Sequence, residues 1–152
     1  MLNVVLIEPE IPPNTGSVGR LCLATGAHLH LVKPLGFSLD DRYLKRAGLD
    51  YWADVKVSVW ESFDELRAAQ SAAARYFFLT TKTKRPYWEV EFQRDDFLVY
   101  GRETKGLPEP LLAANADACL TIPMPGTTRS LNLATSVAIV LYEAFRQFSR
   151  PR

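Results

Sequence analysis

The chain has 152 residues, of which 47% are apolar and 23% charged, and a net charge of +1 at neutral pH. These values predict one globular domain over 1–152 with a core of its own. No apolar run approaches the roughly 18 residues of a membrane span, residues 1–8 lack the basic flank of a signal peptide, and so small a charge neither requires nor excludes a nucleic-acid partner.

Residues 2–7 form an apolar run that stops at Glu8-Pro9, the pattern of a strand buried on both faces of a parallel sheet. Pro12-Pro13 predicts extended backbone, after which Asn14 or Thr15 caps a helix carrying Val18, Leu21, Cys22 and Thr25 and stopping at Gly26. Residues 28–32 alternate as a second strand. Strand, helix and strand in this order predict a parallel α/β sheet with right-handed crossovers. A short helix is expected over 40–47, with Arg42, Lys45 and Arg46 outward, then a brief strand over 55–59. Ser62 and Glu65 read as a capping box opening a helix to about Ala69. Residues 76–80 are a buried strand followed by a basic loop holding Lys82, Lys84 and Arg85, with Tyr87 and Trp88 beyond it as candidates to stack an unpaired base. Residues 96–100 and 118–122 complete the strands, with Pro108 opening a helix to about Ala114 between them. The last helix, expected over 132–148, is apolar nearly all round, which predicts burial on two sides, the second against another subunit. Cys22 and Cys119 sit in apolar surroundings and predict two reduced core thiols in a cytoplasmic protein.

The chemistry is expected in four polar loops that follow strands, over 14–20, 80–84, 101–106 and 123–132. In open α/β sheets, ligands sit at the carboxyl ends of the strands. The stretch over 120–133 organises the rest: Pro123, Pro125 and Gly126 break regular structure. Thr127, Thr128, Ser130 and Asn132 then bring short polar side chains to a helix start, where backbone N–H groups are open to caps or ligands. A dinucleotide fingerprint is absent after the first strand, and Leu107-Pro108 stands where a P-loop needs Lys-Ser/Thr. His28 and His30 share a strand face without a third ligand nearby, so they read as satisfied histidines and no metal is expected.

Three of these loops, in order, resemble the motifs of the SPOUT ribose methyltransferases: Asn14-x-Gly16-x-x-x-Arg20, Gly101-x-Glu103-x-x-Gly106, and Ile122-Pro123-Met124 leading to Arg129-Ser130-Leu131-Asn132. The opening Glu8-Pro9-Glu10-Ile11-Pro12-Pro13-Asn14-Thr15-Gly16 and the stretch Arg46-Ala47-Gly48-Leu49-Asp50-Tyr51 resemble the small single-domain bacterial members that act on the wobble ribose of tRNA. Ser17 and Lys105 stand where that family often has Asn and Arg. The resemblance covers essentially the whole chain. It implies a parallel α/β sheet with a C-terminal deep trefoil knot, a homodimer, and S-adenosyl-L-methionine as methyl donor with S-adenosyl-L-homocysteine as product. It implies 2′-O-methylation of cytidine or uridine 34, with the anticodon stem-loop as partner. Ribosomal RNA as substrate, or an idle RNA-binding module of the same fold, remain open.

The resemblance also implies roles. Leu79, Thr80, Gly101, Glu103, Gly106, Ile122, Met124, Ser130 and Leu131 would hold the cofactor, with Glu103 orienting the cleft across the loops. Arg20 would stand beside the acceptor, fixed by Asn14, with Ser130 and Asn132 positioning acceptor or cofactor. An arginine keeps its proton, so orientation of a phosphate and the hydroxyl suits it better than the role of free base. Arg129 and Tyr142 are candidates for RNA contact, and, apart from the resemblance, Lys82 with Lys84 and Arg85, Arg46 with Arg42 and Lys45, and Arg102 with Lys105 read as basic groups that could grip RNA phosphates.

Overall fold

The computed structural model describes residues 1–40, 42 and 50–149. Most of the helix expected over 40–47, with Lys45 and Arg46, lies outside the described residues. Six strands form one parallel sheet: β1 (Asn3–Ile7), β2 (His28–Val32), β3 (Val57–Trp60), β4 (Tyr76–Leu79), β5 (Phe97–Tyr100) and β6 (Cys119–Leu120), in the order β3-β2-β1-β5-β4-β6. Four α-helices are described: α1 (Pro12–Thr25), α2 (Phe63–Ala68), α3 (Glu109–Ala114) and α4 (Leu133–Ser149).

The period of two along each strand sorts the core into two layers. Val4, Leu6, Leu29, Leu31, Leu98 and Tyr100 face one side, where Val18 and Cys22 of α1 and Val137, Val140, Leu141 and Ala144 of α4 cover them. Val5, Ile7, Val32, Phe78 and Val99 face the other, under Leu66 of α2 and Leu112 of α3. Each fully buried Leu, Val or Phe contributes about 1.5–3 kcal/mol, so both layers are needed to hold the sheet. Cys22 and Cys119 are both free and buried, and burial pushes the Cys22 thiol up to about 12.

β1 and β5 are neighbours, yet α1 leaves β1 on one face and α3 leaves β5 on the other. Such a reversal opens a crevice at the carboxyl ends of the two strands. That crevice holds the candidate site.

The strand expected over 55–59 is Val57–Trp60, those over 76–80 and 96–100 are each one residue shorter, and four further boundaries differ for a visible reason. Helix α1 starts at Pro12, with Ile11 at the cap and no side-chain cap from Asn14 or Thr15. Proline fits the first helical turn because its φ is right and its missing N–H would be unpaired there anyway. Pro108 is a cap and not the first turn of its helix. β6 ends at Leu120, because Thr121 turns to the β4–β5 crossover: its N–H donates to the Arg85 carbonyl (2.8 Å) and its carbonyl accepts from Tyr87 N (3.0 Å). Asn132 precedes α4 and caps it, its Oδ1 accepting from Thr135 N at 3.2 Å. The stop of α1 at Gly26 is as expected, with φ +74° and its N–H on the Cys22 carbonyl. So is the Ser62 cap, which accepts from Glu65 N at 3.0 Å.

The last helix corrects the expectation in part. Leu133 and Val140, off its main apolar stripe, are buried in this chain's own core. What remains exposed is Tyr142 (43%) and Phe145 (38%), ring to ring, with Leu23 of α1 exposed at 43%.

Candidate functional site

The loop over 101–106 is built on two glycines with different tasks. A Cβ on Gly101 would stand 2.1 Å from the Gly106 carbonyl carbon, so the chain closes on itself only if residue 101 has no side chain. Gly106 takes φ +66°, the left-handed region open to glycine. Arg102 and Gly106 exchange backbone hydrogen bonds of 2.9 and 3.3 Å across the neck.

This loop clasps the start of α1. The Glu103 carboxylate accepts from Glu10 N (2.9 Å) and Ile11 N (3.1 Å), negative charge at a helix N-terminus where it is favoured. In return the Glu10 carboxylate accepts from the Thr104 hydroxyl (2.7 Å) and backbone N–H (3.3 Å). The Thr104 hydroxyl bond, then its backbone bond, holds Glu10 below the usual carboxylate range. Arg102 binds the Glu8 carboxylate through two nitrogens, at 2.9 and 3.1 Å. Glu8 has φ +54°, so this clasp stabilises a strained turn after β1. Arg102 is thus engaged within the fold.

The third loop joins from the other end of the chain. Asn132 Nδ2 donates to Asn14 Oδ1 at 3.0 Å, tying the start of α4 to the start of α1. Thr80 anchors the fourth: its N–H donates to the Leu120 carbonyl (2.9 Å), and its hydroxyl accepts from Lys82 N (3.1 Å).

Together the four loops wall a cleft of about 530 Å³ at the β1/β5 reversal, within the roughly 300–1,000 Å³ of small-molecule sites. Leu79, Thr80, Gly101, Glu103, Gly106, Ile122, Met124, Ser130 and Leu131 all line it, as do Asn14, Asn132 and Lys82. Lys82 is paired with Glu109 of α3. Tyr100 also forms part of the wall, and among the described residues its buried hydroxyl has no hydrogen-bond partner. A wall that mixes the apolar Leu79, Ile122 and Met124 with the polar Thr80, Ser130 and Asn132 suits a ligand with apolar and polar parts.

Arg20, Arg129 and Tyr142 lie outside this wall. Arg20 is exposed on α1, its guanidinium over the ring of Tyr51. Asn14 is engaged with Asn132, so the expected Asn14–Arg20 pairing gives way, among the described residues, to two separate contacts. Sequence reasoning missed the Glu8–Arg102 and Glu10–Thr104 contacts and the role of Tyr100. The only local signal for the first two was a pair of acids flanking Pro9 just past a strand.

The model of the SpoU rRNA methylase family matches residues 1–142. A tRNA (cytidine(34)-2'-O)-methyltransferase of Yersinia pestis is 49% identical over 156 residues, covering 99% of this chain and 96% of that protein. A solved structure described as giving insights into the 2-OH methylation of C/U34 on tRNA has a TM-score of 0.91 at 46% identity and covers 98% of this chain and 97% of that one. The SpoU methyltransferase AviRb of Streptomyces viridochromogenes, solved with AdoMet, has a TM-score of 0.82 at 25% identity, covering all of this chain and 59% of that one.

Proposed function

The chain belongs to the SpoU rRNA methylase family, and from that premise we propose that it methylates the 2′-oxygen of the wobble nucleotide, cytidine or uridine 34, of tRNA. The observation that carries this reading is the convergence of all three motif loops on one cleft, in a chain whose relative of nearly equal length is a tRNA (cytidine(34)-2'-O)-methyltransferase.

The residues present fit S-adenosyl-L-methionine. The cleft has the volume, Leu79, Ile122 and Met124 give apolar wall, and Thr80, Ser130 and Asn132 give polar wall. When bound, this cofactor supplies an electrophilic sulfonium methyl, leaving S-adenosyl-L-homocysteine. Leu79, Thr80, Gly101, Ile122 and Met124 would hold its adenosine side, and Ser130 and Leu131 the remainder. The Glu103 clasp fixes the angle between the 101–106 loop and α1, and the Asn14–Asn132 bond fixes α1 against α4. These ties set where an acceptor ribose rests against the cleft. Arg20 orients the RNA phosphate and through it the 2′-hydroxyl, with Ser130 and Asn132 on the near side.

The C-terminal segment is read as threaded into a trefoil knot. In support, Thr121 is held between Arg85 and Tyr87, and Gln147 of α4 binds both the Val90 carbonyl (3.1 Å) and Phe92 N (2.8 Å) of the same crossover. The exposed Leu23, Tyr142 and Phe145 support a homodimer through α1 and α4. Arg129, Lys82 and Lys84, with Arg46 from outside the described residues, are the cations offered to the anticodon stem-loop, and exposed Trp88 is offered to an unpaired base.

The test is methyl transfer from labelled S-adenosyl-L-methionine to tRNA lacking wobble ribose methylation but otherwise normally modified, followed by mapping of the label. Label on the 2′-oxygen of nucleotide 34 is expected. Label elsewhere discards the wobble assignment, and no label on tRNA with transfer to ribosomal RNA in a parallel assay returns the chain to the substrate in its family's description.

A further inference from the structure

Arg20 raises a problem that the cleft does not solve. It is a long, exposed side chain on α1, with much rotamer freedom to lose when it engages RNA. The guanidinium carbon lies 5.5 Å from the centroid of the Tyr51 ring, inside the roughly 6 Å over which an aromatic face attracts a cation. The ring is itself held. The Tyr51 hydroxyl donates to the Gly16 carbonyl at 2.6 Å, one helical turn before Arg20. Tyr51 belongs to the 3-10 turn Asp50–Asp54, which closes onto α1 at a second small residue: a Cβ on Gly19 would stand 2.8 Å from the Trp52 ring. Gly19 thus lets the turn reach the helix, and the turn presents a fixed ring face to the guanidinium.

We propose that Tyr51 is a positioning residue for Arg20: its ring stacks on the guanidinium, and its hydroxyl bond to Gly16 fixes the ring, so that the cation is ordered before RNA arrives. The proposal rests on the reading of Arg20 as the residue beside the acceptor. Stacking uses the flat face of the guanidinium and leaves its N–H edges available to a phosphate. Ordering the group beforehand lowers the cost of forming the reactive arrangement. It favours a charged, orienting Arg20, because a ring face attracts the cation.

The test keeps the shape of the ring and removes its attraction. Tyr51 in the full chain is replaced by phenylalanine and then by mono-, di- and trifluorophenylalanine, and kcat, KM for tRNA, cofactor affinity and melting temperature are measured. Phenylalanine is expected to retain activity within about threefold, and kcat to fall stepwise with fluorination, about tenfold across the series. Cofactor affinity and melting should stay level. A kcat that ignores fluorination overturns the proposal. In the Arg20→Ala background, followed at single turnover, the same series should be flat, and a slope persisting there overturns it as well. Should Arg20→Ala itself keep full methyl transfer, the reading of Arg20 fails beneath the proposal, an outcome distinct from a flat series with Arg20→Ala impaired.

Discussion

The two ends of the sheet each carry a polar cavity of similar size, and only one is the candidate site. At the amino end a cavity of about 600 Å³ is bordered by Asn3, His28, Arg75 and Asp96, against about 530 Å³ at the carboxyl end. The amino end is closed chemically, by a chain of hydrogen bonds that starts in mid-sheet at His30 and ends at Asn3. Trp60 Nε1–H donates to His30 Nδ1 (3.0 Å), which assigns the proton to Nε2, and Nε2 donates to Asn3 Oδ1 (2.9 Å). Asn3 Nδ2 donates in turn to the carbonyls of Met1 and Asp95. Buried Asp96 accepts from Gln93 N and pairs with Arg75. The carboxyl end is open. Asn14, Thr80, Ser130 and Asn132 bring polar side chains to the wall of the cleft there. Polar groups spent on one another hold a fold. Polar groups on the wall of an open cleft are available to a ligand.

The largest expected effect is at the open end. Gly101→Ala places a methyl group against the Gly106–Leu107 backbone, so the loop must open and take Glu103 off the start of α1. Cofactor affinity by calorimetry should fall at least about 100-fold, or about 2.7 kcal/mol, and methyl transfer with it. Unchanged affinity would mean that the loop does not shape the cleft. The closed end should respond in stability and not in chemistry. His30→Phe orphans Asn3 Oδ1 and the Trp60 N–H, at a cost of about 2–3 kcal/mol in denaturant unfolding, while kcat at 25 °C stays within about twofold. A large loss of kcat in a folded His30→Phe protein would break the division between the two ends.

The same histidine gives the division a pH signature. Burial, then the neighbouring His28 and Lys56, push His30 down to about 3, from 6.5. The unfolded chain therefore binds a proton that the folded one refuses, and stability is lost as pH falls from about 6.5 toward 3, by at most about 1.4 kcal/mol per unit from this group. His28 is also lowered, chiefly by burial, and adds to the same sign. Asp96 is raised by burial and opposes it at the acid end. The difference in slope between the parent and His30→Phe, from pH 7 to 4.5, isolates the His30 part. Equal slopes would contradict a neutral, buried His30.

Much of this frame is legible in the sequence because it is local. Continuous apolar runs announce β1, β4 and β5, Gly26 announces the end of α1, and Ser62 announces the start of α2. The glycine spacing of 101–106 flags a tight loop, though not that Gly101 is forced by its own loop's return. What is not legible comes from partners far along the chain. Proline before α1 follows two rules, extended backbone or first helical turn, and the clasp from Glu103, 92 residues on, accompanies the second. β6 is short because Arg85 and Tyr87 capture Thr121. The off-stripe apolar residues of α4 suggest a second buried side, but Leu133 and Val140 are absorbed by this chain's own core. The pairing of Asn14 with Asn132 spans 118 residues and has no local signal at all.

That pairing carries the smallest expected effect, and the one that most sharpens the comparison, because Asn132 belongs to both kinds of polar group. Its Oδ1 caps α4 at Thr135, a task turned inward, while its Nδ2 reaches Asn14 at the edge of the cleft. Asn132→Ala removes both and should cost about 1 kcal/mol of stability together with about tenfold in kcat. Serine caps a helix about as well as asparagine but is too short to span to Asn14. Asn132→Ser should therefore restore the melting temperature and leave kcat low. If serine restores both, Asn132 serves only as a cap, and the tie between α1 and α4 is not what sets the acceptor's position. If serine restores neither, the cap geometry at Thr135 depends on the amide itself, and the inward and outward tasks of this residue cannot be separated by shortening it.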